Sequence, residues 1–232
     1  AEAGVSLVLN ARGPEALQTT AAAIRSRYGV QVDAVAADIT TDEGRARVLA
    51  AAGDVDILVT NAGGPPPGLW SDWERADFIR AIDANMLTPI ALMKALLPGM
   101  IARGWGRVVN ITSSSVKAPI PQIGLSNTAR AGLTGYVAGT SRQVAPFGVA
   151  INNLLPGSHV TDRTLSFDMP VAKARGIPVE MVRAENAASI PARRYGTTVE
   201  FGAMCAFLCS QHAGFIIGQN IVLDGGALNA TI

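Results

Sequence analysis

Short apolar segments alternate along this chain with longer stretches in which apolar residues recur at helical spacing. The apolar segments are rich in Val, Ile and Leu and are predicted to be strands at 5–9, 32–36, 55–60, 107–111, 149–154 and 220–223. The stretches between them are predicted to be helices, including one that begins at Pro14 and others at 72–101, 126–145 and 198–210. This alternation predicts βαβ units, so we expect a Rossmann-like, doubly wound parallel sheet in a three-layer α/β/α fold.

The whole chain, residues 1–232, is predicted to form one domain. Its 232 residues, of which 49% are hydrophobic and 16% charged, suit a single sizeable core. Segment 158–192 lacks a clear strand and is broken by prolines and a glycine. Long insertions of this kind often carry function, so we expect a substrate lid there, with a surface excursion as the alternative.

Charge, hydropathy and cysteine content narrow the class of partner. The formal net charge is +1 and the basic residues are scattered, which favours a small-molecule partner over nucleic acid. The most apolar helical stretch, 86–101, is interrupted by two prolines and a lysine, so no membrane-spanning segment is expected. Cys205 and Cys209 are interpreted as reduced core residues, in keeping with a cytoplasmic protein, and no metal site is expected.

One motif near the middle of the chain indicates chemistry. Residues 110–113 read Asn-Ile-Thr-Ser, Ser126 follows Ser113 by thirteen positions, and Arg130 precedes the small-residue stretch 131–135. This layout resembles the short-chain dehydrogenase/reductase family, in which a serine after a strand end precedes a Tyr-x-x-x-Lys helix by the same spacing. Ser113 matches the family's serine, whereas Ser126 stands where tyrosine is expected and Arg130 where lysine is expected.

The resemblance implies a catalytic role for four residues. In the family, the tyrosine phenol transfers the proton, and the lysine lowers its pKa and binds the cofactor ribose. A serine hydroxyl is a much weaker acid than a phenol of pKa about 10, and Arg130 can bind the ribose but does not deprotonate. Asn85 lies 28 positions before Ser113 and matches the family's helix asparagine that holds a water. A mid-helix asparagine is poor for helix propensity, so a kink bonded to water is expected there.

The missing acid leaves the source of the proton open. Loss of a positioned acid usually costs about 10² to 10⁴ in rate. Ser113 and Asn85 could still support slow carbonyl reduction through a water held by Ser126. His159 and Lys117 are other candidate donors, and the favoured interpretation of each is an ordinary loop residue.

Further motifs resemble the family's nicotinamide-binding segments. Asn61, Ala62 and Gly63 follow a predicted strand and resemble an Asn-Ala-Gly motif beside the cofactor ribose. The Pro-Gly-x-x-x-Thr motif that grips the nicotinamide carboxamide is matched by Pro156, Gly157 and Thr161. Either motif alone marks only a turn, and its position after a parallel strand makes it a cofactor candidate.

Other residues resemble the adenosine end of the cofactor site. Asp38, with Ile39 beside it, matches the acidic residue near the adenine ring, and the alternative for Asp38 is a cap of the helix that begins near Thr41. The second strand of the family fold ends here at Arg12 and carries no acid. Arginine suits a 2′-phosphate, so NADP(H) is preferred, with NAD(H) as the alternative; a plain solvated arginine is the other interpretation of Arg12.

The family's first strand and Gly-rich turn have no counterpart in this sequence. We expect the natural protein to carry roughly one strand, that turn and most of one helix before Ala1. Without this strand the sheet would split between the strands that begin at 5 and 55. The split would leave one row of backbone N–H and C=O groups unpaired on each of these two strands. Each such group that is buried would cost about 1 to 3 kcal/mol.

The sequence thus predicts an NAD(P)-dependent oxidoreductase that resembles 3-oxoacyl-acyl-carrier-protein reductases and acts on a carbonyl or secondary alcohol. The alternative is a cofactor-binding or regulatory pseudoenzyme. The family resemblance implies a homotetramer or homodimer paired through helices 85–101 and 126–145, with small residues Ala129, Ala131, Gly132 and Gly135 at the contact. We also expect the double change Ser126→Tyr with Arg130→Lys to raise reductase activity.

Overall fold

Parallel strands form two sheets in the computed structural model, which describes residues 1–230. β1 (Leu7–Ala11) pairs with β2 (Val32–Ala36). The second sheet runs in the order β3 (Ile57–Thr60), β4 (Gly106–Ile111), β5 (Val149–Pro156) and β6 (Asn220–Leu223). Each strand begins and ends within about two residues of its predicted bounds. The predicted parallel α/β architecture is therefore confirmed.

The sheet is divided between β1 and β3, as the sequence predicts for the strands that begin at 5 and 55. Within residues 1–230, β1 pairs only with β2 and β3 only with β4, so each has one unpaired edge. Val59 in the middle of β3 is 45% exposed, although a strand of this apolar composition is normally covered. The predicted single doubly wound sheet is therefore present as two separately hydrogen-bonded parts.

Eight α-helices connect or flank these strands in the described part of the chain. They are α1 (Pro14–Tyr28), α2 (Asp42–Ala52), α3 (Arg75–Ile82), α4 (Thr88–Arg103), α5 (Gly124–Val144), α6 (Asp162–Arg175), α7 (Val179–Ser189) and α8 (Thr198–Cys209). The predicted helix at 72–101 is corrected in two ways, because it begins at Arg75 and because a π-helical segment, Asp83–Leu87, separates α3 from α4. Segment 158–192 is largely helical, and its two helices pack against each other.

The core lies on both faces of the second sheet. On one face, Met93 and Met100 of α4 and Leu133 of α5 are fully buried with Val108 and Ile151 of the central strands. On the other face, α8 packs its Leu208 against Val109 and Leu154, and its two cysteines are free and partly buried there. The second sheet thus has helices on both faces, as predicted.

The helical stretch Arg75–Arg103 is long and apolar enough, by length and composition alone, to cross a membrane. The sequence predicts that no segment does so. In this structure Leu92, Met93, Leu97 and Met100 of the stretch are buried in the core described above. Packing in a protein core accounts for the apolar composition of α4 without a membrane.

Candidate active site

A cavity of about 1150 Å³ lies beyond the carboxyl ends of β3, β4 and β5. Ligands of open α/β sheets bind at this edge, because the connecting loops diverge there. Nine of the predicted site residues line the cavity together: Asn61, Ala62, Gly63, Ser113, Ser126, Arg130, Pro156, Gly157 and Thr161. Arg12, Asp38, Ile39 and Asn85 do not line it.

Ser113 stands at the end of β4, where the chain enters a single 3-10 turn, Ser114–Val116. Its Oγ caps this turn by accepting the backbone N–H of Ser115 at 3.1 Å. A serine hydroxyl can accept and donate at once. The hydroxyl hydrogen of Ser113 is therefore available to a group in the cavity.

Arg130 is buried on α5 and joins three segments of backbone. Its Nη1 donates to the carbonyl oxygens of Ile111 at 2.7 Å and Thr112 at 2.8 Å, and its Nη2 donates to that of Ala62 at 3.2 Å. Its Nε donates to Ser126 Oγ at 3.1 Å. The guanidinium thus ties the loop after β3 to the end of β4, a structural role that the sequence does not predict.

The charge of Arg130 has no carboxylate beside it. No ion pair in residues 1–230 involves this guanidinium. Burial, with a smaller contribution from the positive charge of Arg163, lowers the pKa of Arg130 to about 10. Arg130 therefore stays protonated at neutral pH and can donate hydrogen bonds, but it does not relay protons.

Ser126 is buried one helical turn before Arg130. Because Ser126 Oγ accepts the Nε–H of Arg130, its own hydrogen is free to point elsewhere. Ser113 and Ser126 thus offer two hydroxyl donors to one cavity. Such a pair can polarise a carbonyl oxygen, as donors in an oxyanion hole do.

Asn85 lies in the π-helical segment between α3 and α4 and is buried. Its Nδ2 donates to the carbonyl of Ala81 at 3.3 Å, while its Oδ1 has no partner. The prediction that this asparagine sits at a break in the helix is confirmed. An unpaired buried amide oxygen is costly, so a water bonded to Oδ1 would stabilise this position.

The loop after β5 is held close to the C-terminal turn. A Cβ added at Gly157 would lie 2.6 Å from Cβ of Asp224, so glycine is required there. Thr161 caps α6, because its Oγ accepts the backbone N–H of Thr164 at 3.2 Å. Both residues therefore also have structural roles that explain their presence.

Arg12 and Asp38 lie near each other at the carboxyl ends of β1 and β2. The Asp38 carboxylate accepts the N–H of Thr40 at 3.0 Å and its hydroxyl at 2.7 Å. These bonds, and to a smaller extent the charge of Arg12, hold the pKa of Asp38 below its usual range. The alternative that Asp38 caps α2 is wrong, since Thr41 is the cap and accepts the N–H of Gly44 at 3.0 Å.

The two other candidate proton donors differ in position. His159 is buried and lines the cavity, with its Nδ1 3.2 Å from the carbonyl oxygen of Gly157 and its ring edge-on to Phe201. Lys117 is exposed and does not line the cavity. Of these two, only His159 is placed near the candidate site.

Arg163 lines the same cavity and is absent from the sequence predictions. Its Nη1 donates to the carbonyl of Gly64 at 3.0 Å and its Nη2 to that of Pro65 at 3.2 Å. The guanidinium also lies over the ring of Phe167, with its Cζ 5.3 Å from the ring centroid, which is within cation–π distance. The signal in the sequence is a basic residue two positions after Thr161, at the ligand-binding edge of the sheet.

Comparison with known proteins agrees with this geometry. The family model described as "Enoyl-(Acyl carrier protein) reductase" matches residues 1–228. The chain is 35% identical over 182 residues to an acetoacetyl-CoA reductase of Cupriavidus necator, covering 78% of this chain and 69% of that relative. It is 27% identical over 230 residues to an NADPH-dependent reductase of Bacillus subtilis, covering 97% of this chain and 89% of the relative.

A similar solved structure is that of an L-sorbose reductase of Gluconobacter frateurii complexed with NADPH and L-sorbose. Its TM-score is 0.93 at 26% identity, and the match covers 99% of this chain and 89% of the other.

Proposed function

The chain belongs to the short-chain dehydrogenase/reductase family, and we propose that it is an NADP(H)-dependent oxidoreductase acting on a carbonyl or secondary alcohol of the 3-oxoacyl type. The observation that carries this proposal is the pair of hydroxyls on Ser113 and Ser126. Both line one cavity, both already accept an N–H, and both keep a hydrogen to donate. Two such donors can hold and polarise one substrate oxygen.

The cavity fits the nicotinamide half of the cofactor. Asn61, Ala62 and Gly63 on one side and Pro156 and Gly157 on the other present small side chains and backbone. The bound cofactor would supply or accept a hydride, which no side chain can do. Thr161 would contribute a hydroxyl beside the carboxamide, and Arg130 has a remaining N–H for the ribose.

We propose that Arg12 selects NADP(H) over NAD(H). Arg12, and not an acidic residue, directly follows the last residue of β1, and a guanidinium suits a phosphate. Arg12→Ala is expected to weaken NADPH binding about 10- to 100-fold, as one charge-assisted bond of about 1.5 to 3 kcal/mol implies, and to leave NADH binding unchanged. Fluorescence titration of both cofactors measures this, with exposed Arg27→Ala on α1 as control. Equal weakening of both cofactors would exclude a phosphate contact.

The proton would come from water in this proposal. While its hydrogen points to the substrate oxygen, Ser126 Oγ can use its remaining lone pair to accept a hydrogen bond from a water beside that oxygen. The unpaired Oδ1 of Asn85, in the π-helical segment that contacts α5, can hold another water. None of the chain's three tyrosines is among the described residues that line the cavity. The same observation favours the second candidate, a cofactor-binding pseudoenzyme, because no phenol is available as the acid.

Three further features belong to the proposal. Segment 158–192 would act as the substrate lid, because its helix α6 brings Arg163 and Phe167 to the cavity. The protein would work in the cytoplasm. It would form a homotetramer or homodimer through α4 and α5.

Turnover separates the two candidate functions. The purified protein would be titrated with NADPH, and then assayed with ketones, 3-oxoacyl thioesters and, with NADP⁺, secondary alcohols. Turnover of at least one carbonyl substrate that falls about 10²-fold or more in Ser113→Ala supports the oxidoreductase. Exposed Ser71→Ala is the matched control and should retain full activity. Cofactor binding without turnover of any substrate would support the pseudoenzyme instead.

A further inference from the structure

We propose that the substrate of this site carries a carboxylate, and that Arg163 is the residue that binds it. This inference rests on the proposed function, because it concerns the same cavity. It follows from an excess of positive charge in the cavity and from the way in which the Arg163 guanidinium is held.

The cavity contains two guanidinium groups and little negative charge. Among the described residues that line it, Arg130 and Arg163 are the cations and Asp224 is the single carboxylate. Both carboxylate oxygens of Asp224 already accept backbone hydrogen bonds, Oδ1 from the N–H of Gly226 at 2.9 Å and Oδ2 from that of Leu228 at 2.7 Å. Neither arginine forms an ion pair within residues 1–230. An anionic ligand would therefore be favoured over a neutral one of the same shape.

The two arginines are not equally free to take up that ligand. Arg130 is 8% exposed and is committed to three carbonyls and a hydroxyl. Arg163 is exposed and donates only to the carbonyls of Gly64 and Pro65 in a loop. A guanidinium bonds a carboxylate in bidentate fashion, and charge-assisted bonds are about twice as strong as bonds to neutral carbonyls. Arg163 can therefore exchange these two carbonyls for a carboxylate.

The loop that faces Arg163 is shaped for this guanidinium. A Cβ added at Gly64 would lie 2.6 Å from Nη2 of Arg163 and 3.0 Å from Cζ. Any other residue at position 64 would force the guanidinium aside. A substitution at Gly64 therefore displaces the Arg163 guanidinium and leaves the positive charge of Arg163 in place.

A carboxylate on the substrate itself fits better than the phosphate of a carrier. Arg163 lines the same cavity as Ser113 and Ser126, so an anion bound by Arg163 would share this cavity with the reacting oxygen. The phosphates of an acyl-carrier thioester are separated from the carbonyl by a long arm. We therefore expect a free oxo acid or hydroxy acid.

Binding is tested first, without turnover. Isothermal titration calorimetry would compare 3-hydroxy acids of four to eight carbons with their methyl esters, on wild type, Arg163→Gln, Gly64→Ala and Lys173→Gln. Lys173→Gln removes one exposed charge from the same helix and is the control. We expect at least one acid to bind about 10- to 100-fold more tightly than its ester, as one charge-assisted pair of bonds allows. This preference should be lost in Arg163→Gln, reduced in Gly64→Ala and kept in Lys173→Gln.

The results also separate this inference from the proposed function. An acid that binds in an Arg163-dependent manner, with no turnover of the matching oxo acid or of any other substrate in the panel, would uphold the carboxylate site and overturn the oxidoreductase. Turnover of esters or acyl thioesters with no advantage for any free acid would uphold the oxidoreductase and overturn the carboxylate site. The site is equally overturned if no acid binds more tightly than its ester, or if Arg163→Gln weakens acid and ester alike.

Discussion

Arg130 combines two roles at the scale of a single residue. In the proposed function it binds the cofactor ribose, and in the structure it bonds three backbone carbonyls at the junction of β3, β4 and α5. A lysine ammonium is compact and has no rigid planar fork, so it cannot meet the same carbonyls with the same geometry. A change of Arg130 to lysine is therefore expected to alter the scaffold of the site as well as its chemistry.

Arg130→Met is expected to lower the free energy of unfolding by about 3 kcal/mol or more. The change leaves the carbonyls of Ile111, Thr112 and Ala62 without their donor, at about 1 to 3 kcal/mol for each group that water does not reach. Urea unfolding followed by circular dichroism measures the loss. Arg142→Met on the same helix, where the arginine is exposed and bonds only a carbonyl of α5, should cost about 0.5 kcal/mol or less. Equal stability of the two variants would refute the anchoring role.

The same contacts qualify the expectation for the double change Ser126→Tyr with Arg130→Lys. Ser126 is 6% exposed, so a tyrosine there needs room that the ring must find in the cavity. Lysine also leaves part of the carbonyl set of Arg130 unpaired. A gain in reductase activity would therefore be accompanied by a loss of stability, measured on the same samples by urea unfolding.

At the scale of elements, the start of α8 is fixed by a reciprocal cap. The hydroxyl of Thr197 accepts the N–H of Glu200 at 3.1 Å, and the Glu200 carboxylate accepts the N–H of Thr197 at 2.8 Å. Arg194 donates to the same carboxylate at 2.9 Å. These bonds lower the pKa of Glu200 to about 2, with the Arg194 bond as the largest cause.

This shift predicts a loss of stability in acid. Because the folded pKa of Glu200 lies below its unfolded value of 4.5, its contribution is fully present above about pH 5 and is lost as the pH falls toward 2. Glu200→Gln should therefore make the unfolding midpoint less dependent on pH in this window. Thermal melts of wild type and variant from pH 6 down to pH 2 check it. Glu180→Gln in the first turn of α7 is the control and should follow wild type, and an identical slope for Glu200→Gln would contradict the assignment.

The sequence predicts the elements well where the signal is local. The strands are short runs of Val, Ile and Leu between turn residues, and α5 and α8 carry a continuous helical pattern, so these elements appear close to their predicted bounds. The π-helical break at Asn85 has only a weak local signal, a polar residue in mid-helix. The poor helix propensity of asparagine predicts a kink there, whereas the geometry of the π-helical segment depends on its packing against α5.

In the candidate site, too, some features can be predicted from the sequence and others cannot. Ser113, the Asn61 turn and the Pro156 loop follow strand ends, and parallel strands bring their carboxyl ends to one edge. The contacts of Arg130 and Arg163 are different, because they join residues 68 and 99 positions apart. No periodicity in the sequence encodes such contacts. They depend on the packing of α5 and α6 over the loop after β3.

At the scale of the whole molecule, α5 presents small residues to the surface. Ala131, Gly132 and Gly135 are exposed and would permit a second copy to pack closely, as the proposed oligomer requires. Ala129 was predicted to share this contact, but it is fully buried inside the protomer and cannot reach a partner.

Gly135→Glu is expected to break the oligomer. A Cβ at position 135 meets nothing within 4 Å in the protomer, so the change should leave the fold intact and place a charge in the contact. Light scattering would measure the mass of wild type, Gly135→Glu and the control Ala23→Glu, which lies exposed on α1. We expect wild type and control to be tetramers or dimers and Gly135→Glu to be smaller. A monomeric wild type would refute the proposed assembly.

The most direct test of the account is the initial rate of NADPH-dependent carbonyl reduction in wild type, Ser113→Ala, Ser126→Ala and the double variant. If both hydroxyls polarise one oxygen, each single change should lower kcat by about 10²-fold or more. The double variant should lose less than the product of the two, because groups that act as a unit are not additive. Urea unfolding of the same samples confirms that they are folded. Folded variants that keep the wild-type kcat, or a wild type that reduces no carbonyl compound, would contradict the account.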